Sequence, residues 1–253
     1  MDAVKLVGLH GFTGSRHDWE PVAAALNRPI LGIDLVGHGD ADAPLNDRAY
    51  AADAMVAAAL DGIRGAAVPS IVVGYSMGGR VALRLALDHP EVVGGLVLIG
   101  ANPGIDDPTA RSERIARDRA LAARIETRGI AWFCDHWESV PAIRTQQAIP
   151  DAVRLPMQAR RRLNRPAGLA GALRGFGQGA VKPVWDRLES IWQPTLLLTG
   201  GTDQPYGEIA ERMAARMPSA IHRVLDGAGH CAHLEATPAA AAAIADFVDA
   251  VSG

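Results

Sequence analysis

Residues 74–78, Gly-Tyr-Ser-Met-Gly, put a serine between glycines where one apolar run, "SIVVGY" (70–75), gives way to an amphipathic one, "GGRVALRLALDH" (78–89). A serine hydroxyl is nearly inert at neutral pH unless a histidine can take its proton and a carboxylate orients that histidine. Both partners occur downstream. "LLLTGGTDQPY" carries Asp203 just past an apolar run, and "LDGAGHCAHLE" carries His230 in a Gly-rich stretch past the last such run. Ser76, Asp203 and His230 are the expected catalytic residues. Asp226 is the rival acid, but it lies only four residues before His230 on the same exit from a strand.

The pentapeptide fits G-x-S-x-G between a strand and a helix, the setting in which that pattern forms a sharp turn with an exposed hydroxyl. Glycines suit such a turn because its crowded backbone leaves no room for side chains. The following helix then points its N-terminus at the serine and favours negative charge there. A developing oxyanion also needs backbone donors. The amide of Met77 is one candidate, and the amide of Phe12 in "LHGFTGS" (9–15) is the other. His10 and Gly11 read as the support of that loop, and His38 in "GIDLVGHGDAD" (32–42) reads as structural. His230 and His233 have H-x-x-H spacing, but neither a helix start nor a third ligand accompanies them, so no metal is expected.

The elements that must position these groups are visible as short apolar runs bounded by Gly, Pro or Asp. They fall at 4–11, 29–34, 70–75, 95–100, 194–200 and 220–229. Their hydrophobicity is continuous rather than alternating, as in parallel strands covered on both faces. Helical periodicity lies between most of them, at 18–27, 50–64, 78–89, 207–217 and 238–251. The expected fold is α/β, with a mainly parallel sheet of about six strands. Residues 101–190 interrupt the alternation with several Arg-rich helical segments. They are expected to form a helical cap over the carboxyl ends of the strands, with 1–100 and 191–253 as the core.

The formal charge of −3 and the lack of a basic tail argue against nucleic acid or a membrane surface as partner. Two cysteines make no disulfide framework, and the chain runs straight into an apolar strand without a leader pattern, so a cytoplasmic location is expected. Charge is uneven, however. Residues 101–190 hold 15 Lys/Arg, of which 14 are Arg, against 10 Asp/Glu, while the remainder is acidic. A basic segment over an acidic body is suited to a small anionic substrate.

"HGFTGS", "DLVGHG", "GYSMGG", "GGTD" and "GAGHCAHLE" together resemble the α/β-hydrolase family, in family order and over nearly the whole chain. Members often have Pro where Val36 stands. The two leading strands of fuller members are not expected here. Within the family, "GYSMGGR" followed by "NPG" and "ARSERIARDRALAARI" is similar to the 2-succinyl-6-hydroxy-2,4-cyclohexadiene-1-carboxylate synthases of menaquinone biosynthesis. So is "RRLNRPAGLAGALRGFGQG", with Trp185 beyond it where a cap-closing aromatic is common. That likeness carries the substrate-binding roles onto Tyr75, Arg80, Arg114, Trp137 and Arg161. Arg160 and Arg162 remain alternatives to Arg161, and "DHWESVPAIR" departs from the subgroup's wording.

The resemblance implies a lyase that eliminates pyruvate from an anionic polycarboxylate, with no cofactor. Arginine forks suit such a substrate. The alternative is a serine hydrolase of an anionic ester or of a C–C bond in a ring-cleavage product. A non-enzymatic binding protein on this fold would be expected to lack one of the three catalytic residues.

Overall fold

The computed structural model describes residues 5–64 and 69–252. Val4, where the first apolar run begins, lies outside them. Six strands form one sheet: β1 (Leu6–Leu9), β2 (Ile30–Ile33), β3 (Ser70–Tyr75), β4 (Val93–Ile99), β5 (Thr195–Gly200) and β6 (Ala220–Leu225). Their spatial order is β2-β1-β3-β4-β5-β6 and every pairing is parallel. The chain winds outward in one direction through β2 and in the other from β3 onward. The topological switch therefore lies between β1 and β3, where open α/β sheets offer a crevice at their carboxyl ends.

Successive strand residues feed opposite faces. Val72 joins a core with Val81, Leu85 and Met213, whereas Ile71 and Val73 pack with Val22, Ile244 and Phe247. The first face is covered by α2 (Ala52–Arg64), α3 (Met77–Asp88) and α8 (Gln204–Ala214), the second by α1 (Glu20–Leu26), the short α9 (Ala232–Glu235) and α10 (Thr237–Ser252). Covering on both faces is why the strands read as unbroken apolar runs.

Four helices are inserted between β4 and β5: α4 (Pro108–Glu138), α5 (Pro141–Arg144), α6 (Asp151–Arg161) and α7 (Pro166–Phe176). Helix α4 is broken at Gly129, whose φ of 80° and ψ of 176° are not helical, so the segments on either side of that glycine are two helices in geometry. Helix α6 contains Pro156. The insertion has its own small core, in which Ile125 and Phe133 of α4 meet Leu169 and Leu173 of α7. Helix α7 also seats on the body through glycines: a Cβ at Gly168 would lie 2.2 Å from the Gly37 carbonyl, and one at Gly171 2.4 Å from the Tyr50 ring. Among the described residues no helix is long and apolar enough to cross a membrane.

Candidate active site

The turn after β3 is as tight as its glycines imply. Ser76 has φ 49° and ψ −103°, a left-handed conformation that non-glycine residues rarely adopt. A Cβ at Gly78 would lie 2.1 Å from the Leu9 carbonyl, and one at Gly74 2.7 Å from the Gly78 carbonyl. The Ser76 amide is held by the Ile99 carbonyl at 2.9 Å. The strain is thus fixed by β1, β3 and β4 together.

Ser76 Oγ lies 3.1 Å from His230 Nε2, and His230 Nδ1 lies 2.7 Å from Asp203 Oδ2. Asp203 caps α8 just past β5 and is buried; Asp226 is exposed. With Nδ1–H donated to the carboxylate, Nε2 is free to accept the serine proton. Glu235 brackets the histidine: its carboxylate accepts from the amides of Gly229 at 2.6 Å and Cys231 at 3.1 Å. The same group accepts from the hydroxyl of Thr145 in the insertion, at 2.8 Å.

Met77 begins α3, so its amide is one of the first-turn donors without an intrahelical acceptor. Phe12 follows β1, and both residues line the same cavity as Ser76. His10 holds that loop in place: Nε2 accepts from the Leu35 amide at 3.0 Å, so Nδ1 donates to the Gly11 carbonyl at 2.8 Å. Burial lowers the His10 pKa and takes that of His38 down to about 3. Neutral, buried and engaged with backbone, both histidines are structural. His233, 1% exposed, packs between Trp19 and Tyr75.

The cavity has a volume of about 540 Å³ and lies between the strand ends and the inserted helices. Tyr75, Arg80, Arg114, Trp137 and Arg161 all line it. Arg80, one turn along α3 from Ser76, is buried, and among the described residues no carboxylate lies within ion-pair distance of it. Its Nη2 donates to the Phe176 carbonyl at 3.1 Å, its guanidinium lies 5.4 Å from the Phe176 ring centre, and Nε has no partner. Burial brings its pKa down to about 10. A desolvated cation without a paired carboxylate is a site for an anion.

Arg161 is 4% exposed and donates to Thr13 Oγ1 at 3.2 Å and Gln146 Oε1 at 2.8 Å. Arg160 faces Asp18 and Arg162 pairs with Asp135 at the surface, so Arg161 is the one of the three that reaches the cavity. Arg114 is less free than expected, because its Nε donates to Asp118 at 2.8 Å and its Nη1 to Gln178 Oε1. Trp137 stands edge-on to Phe12 with ring centres 5.4 Å apart.

These features can be set beside known proteins. The model of the alpha/beta hydrolase family matches residues 6–245. The chain belongs to the α/β-hydrolase family. Among curated relatives, this α/β hydrolase is 31% identical over 245 residues to the 2-succinyl-6-hydroxy-2,4-cyclohexadiene-1-carboxylate synthase of Klebsiella pneumoniae (strain 342), covering 96% of this chain and 93% of that one. It is 37% identical over 234 residues to a Bacillus subtilis (strain 168) protein provisionally given the same name, covering 91% and 85%. Among solved structures it superposes on MenH from S. aureus with a TM-score of 0.93 at 28% identity, over 100% of this chain and 96% of that one. An esterase from Thermogutta terrifontis, at 24% identity and a TM-score of 0.82, shares the fold (99% and 91% covered).

Trp185 is the one aromatic in this α/β hydrolase that misses its expected place. Its indole donates to the Gly104 carbonyl at 2.9 Å, its ring lies under Arg212, and it does not line the cavity. Conversely, Tyr206, Gln178 and Gln146 line the cavity without having been singled out in the sequence. For Tyr206 a signal was available: it stands three residues after Asp203, on the first turn of α8. The glutamines carry no charge or motif that separates them from surface residues. Of the 15 Lys/Arg in residues 101–190 only Arg114, Arg117 and Arg161 line the cavity, and Arg154, Arg162 and Arg174 instead pair with surface acids.

Proposed function

We propose that this α/β hydrolase is a lyase of menaquinone biosynthesis. It eliminates pyruvate from 2-succinyl-5-enolpyruvyl-6-hydroxy-3-cyclohexene-1-carboxylate and leaves 2-succinyl-6-hydroxy-2,4-cyclohexadiene-1-carboxylate, the product named for its relatives in Klebsiella pneumoniae and other bacteria. The observation that carries this reading from fold to reaction is Arg80, a buried guanidinium one helical turn from the serine with no ion-paired carboxylate among the described residues. Arg161, whose guanidinium lies 3.9 Å from the Glu138 carboxylate, adds a second buried cation at the cavity wall. The substrate carries three carboxylates, and a neutral acyl ester would give these cations nothing to neutralise.

In this reaction Ser76, relieved of its proton by His230, takes the ring proton beside the succinyl ketone. Asp203 steadies the resulting imidazolium. The electrons move onto the ketone oxygen, where the amides of Phe12 and Met77 act as the oxyanion hole. They then return through the ring, shift its double bond, and break the bond to the enolpyruvyl oxygen. One proton leaves the ring and one is taken up by the departing enolate, which becomes pyruvate. The balance needs no metal, nucleotide or redox cofactor. Residues 101–190 act as the cap, supplying Arg114, Trp137 and Arg161. Cys134 and Cys231 are unpaired and buried, which suits a reducing cytoplasm.

The test is pyruvate release from purified protein given that substrate, with Ser76→Ala as control. Release well above the spontaneous rate, lost in the control, is the expected result. No release from folded protein would remove the pathway assignment.

A further inference from the structure

The geometry points to Tyr206 as a substrate-binding residue whose phenolic O–H is held ready to donate to a carboxylate shared with Arg80. The inference rests on the polycarboxylate reading above and names a residue of that same site.

Two amides meet the Tyr206 oxygen. Gln178 Nε2 lies 2.5 Å from it and Asn102 Nδ2 3.4 Å. Amide oxygen and nitrogen are interchangeable in shape, so each orientation has to be fixed by its other partner. Here both are. Gln178 Oε1 accepts from Arg114 Nη1, and a guanidinium can only donate. Asn102 Oδ1 accepts from the Gly104 amide at 3.0 Å, which likewise can only donate. The nitrogen of each side chain therefore faces the phenol, and both donate to it.

A phenol oxygen that receives two donors has only its own hydrogen left to give. Among the described residues the phenol donates to no protein acceptor, and both ring nitrogens of His230 are engaged, Nδ1 with Asp203 and Nε2 with Ser76. Its ring packs on His230 with centres 4.3 Å apart, and both Tyr206 and Arg80 line the cavity. The O–H is thus left for the cavity, which Arg80 also lines. A chain from Arg114 through Gln178 to Tyr206 polarises the phenol and strengthens the bond it gives. This also gives Arg114 a role that does not require its guanidinium to touch substrate: it positions Gln178, which positions Tyr206.

Tyr206→Phe keeps the ring on His230 and removes only the donor. Gln178→Leu keeps the phenol and breaks the chain. Both would be assayed for pyruvate release, with thermal unfolding alongside. Losing one hydrogen bond to a charged group corresponds to a rise in KM of about ten-fold or more for Tyr206→Phe. The expected kcat stays within about three-fold and the unfolding midpoint is little changed; Gln178→Leu raises KM by a smaller factor. An unchanged KM in both variants of a protein that releases pyruvate overturns the assignment of Tyr206 and leaves the lyase standing. A fall in kcat at constant KM also overturns it, because the phenol would then act on the reacting atoms. Absence of pyruvate release from the wild type defeats the lyase reading, and this assignment with it.

Discussion

Thr145 and Glu235 are 90 residues apart in sequence and joined by a hydrogen bond of 2.8 Å. Through it, the inserted helices hold the carboxylate that grips the amides on both sides of His230. A methyl at Gly229 would sit 2.4 Å from the Thr145 hydroxyl, so the two segments are in close contact as well. Replacing Thr145 by Val removes one of three donors to a part-buried carboxylate and should destabilise by about 1 kcal/mol. Glu235→Ala strips both amides of their acceptor and should lose about 2–4 kcal/mol on the same scale. The expected order of kcat is wild type, Thr145→Val, Glu235→Ala, with Thr145→Ser near wild type. Equal kcat in Thr145→Val and Thr145→Ser would show that the hydroxyl does not matter.

Arg80→Met should separate stability from function. The guanidinium is buried without an ion pair among the described residues, and burial depresses its pKa to about 10, so the folded protein holds its charge at a disadvantage. An apolar side chain of similar length removes that disadvantage. The unfolding midpoint is expected to stay level or rise while kcat/KM for the anionic substrate falls by more than about a hundred-fold, the range for a buried charge-assisted contact. A drop in midpoint of several degrees together with unchanged kcat/KM would reverse the assignment.

Ser76→Gly should stabilise the fold and abolish turnover. Glycine occupies the region near φ 49° without the Cβ penalty, so about 1 kcal/mol of strain is relieved. For a chain of this size that corresponds to a rise of about 2–4 °C in midpoint, readable by calorimetry. Ser76→Ala keeps the strain and is expected to lose activity without the gain.

Acid should unfold this protein through its buried histidines. His38 and His233 have pKa values near 3 through desolvation, and His10 is lowered by the same cause. The unfolded chain takes up these protons near pH 6.5 and the folded one does not. The stabilisation from His38 and His233 is therefore complete above about pH 6.5 and lost as pH falls toward 3, at about 1.4 kcal/mol per pH unit for each of these two. His10 acts in the same direction. Asp18 acts in the opposite sense, because burial raises its pKa and its folded form is disfavoured above the ordinary carboxylate range. Unfolding free energy measured from pH 7 to 4 should fall steeply, and less steeply in His233→Gln. Identical slopes would place the acid sensitivity elsewhere.

Ser76, Asp203 and His230 were legible as a group because a strained turn and a hydrogen-bonded serine, histidine and carboxylate restrict residue type. Ser76 needs glycines on either side, Asp203 follows a strand, and His230 sits in a Gly-rich exit, so each leaves a pattern in the sequence. Arg80 was legible as a spacing but not as a buried cation, since periodicity does not tell which side of α3 meets Phe176. Arg161 could not be separated from Arg160 and Arg162 before α6 had a direction. Tyr206 and Gln178 act through hydrogen bonds that bring together residues up to 104 positions apart, which no local pattern records. Trp185 misled because aromatic size fits a core as well as a cavity wall, and Gly104 offered its indole a partner.

Helices α4–α7 leave the sheet after β4 and return to it in β5, and these two strands are hydrogen-bonded neighbours in the register Leu96↔Thr195 to Ile99↔Leu198. Because the two strands are parallel, the segment leaves at the carboxyl end of β4 and returns at the amino end of β5. Its ends on this one seam are offset by a strand spacing of roughly 4.8 Å across and by about 10 Å along the strands. Closing a loop across such a gap becomes harder only with the logarithm of its length. A segment of quite different size and chemistry can be sewn into the same seam while Ser76, Asp203 and His230 stay where the strands put them. Arg114 and Arg161 would leave with the old segment, but Arg80 is rooted in α3 and would remain, a fixed preference for anions beneath any replacement.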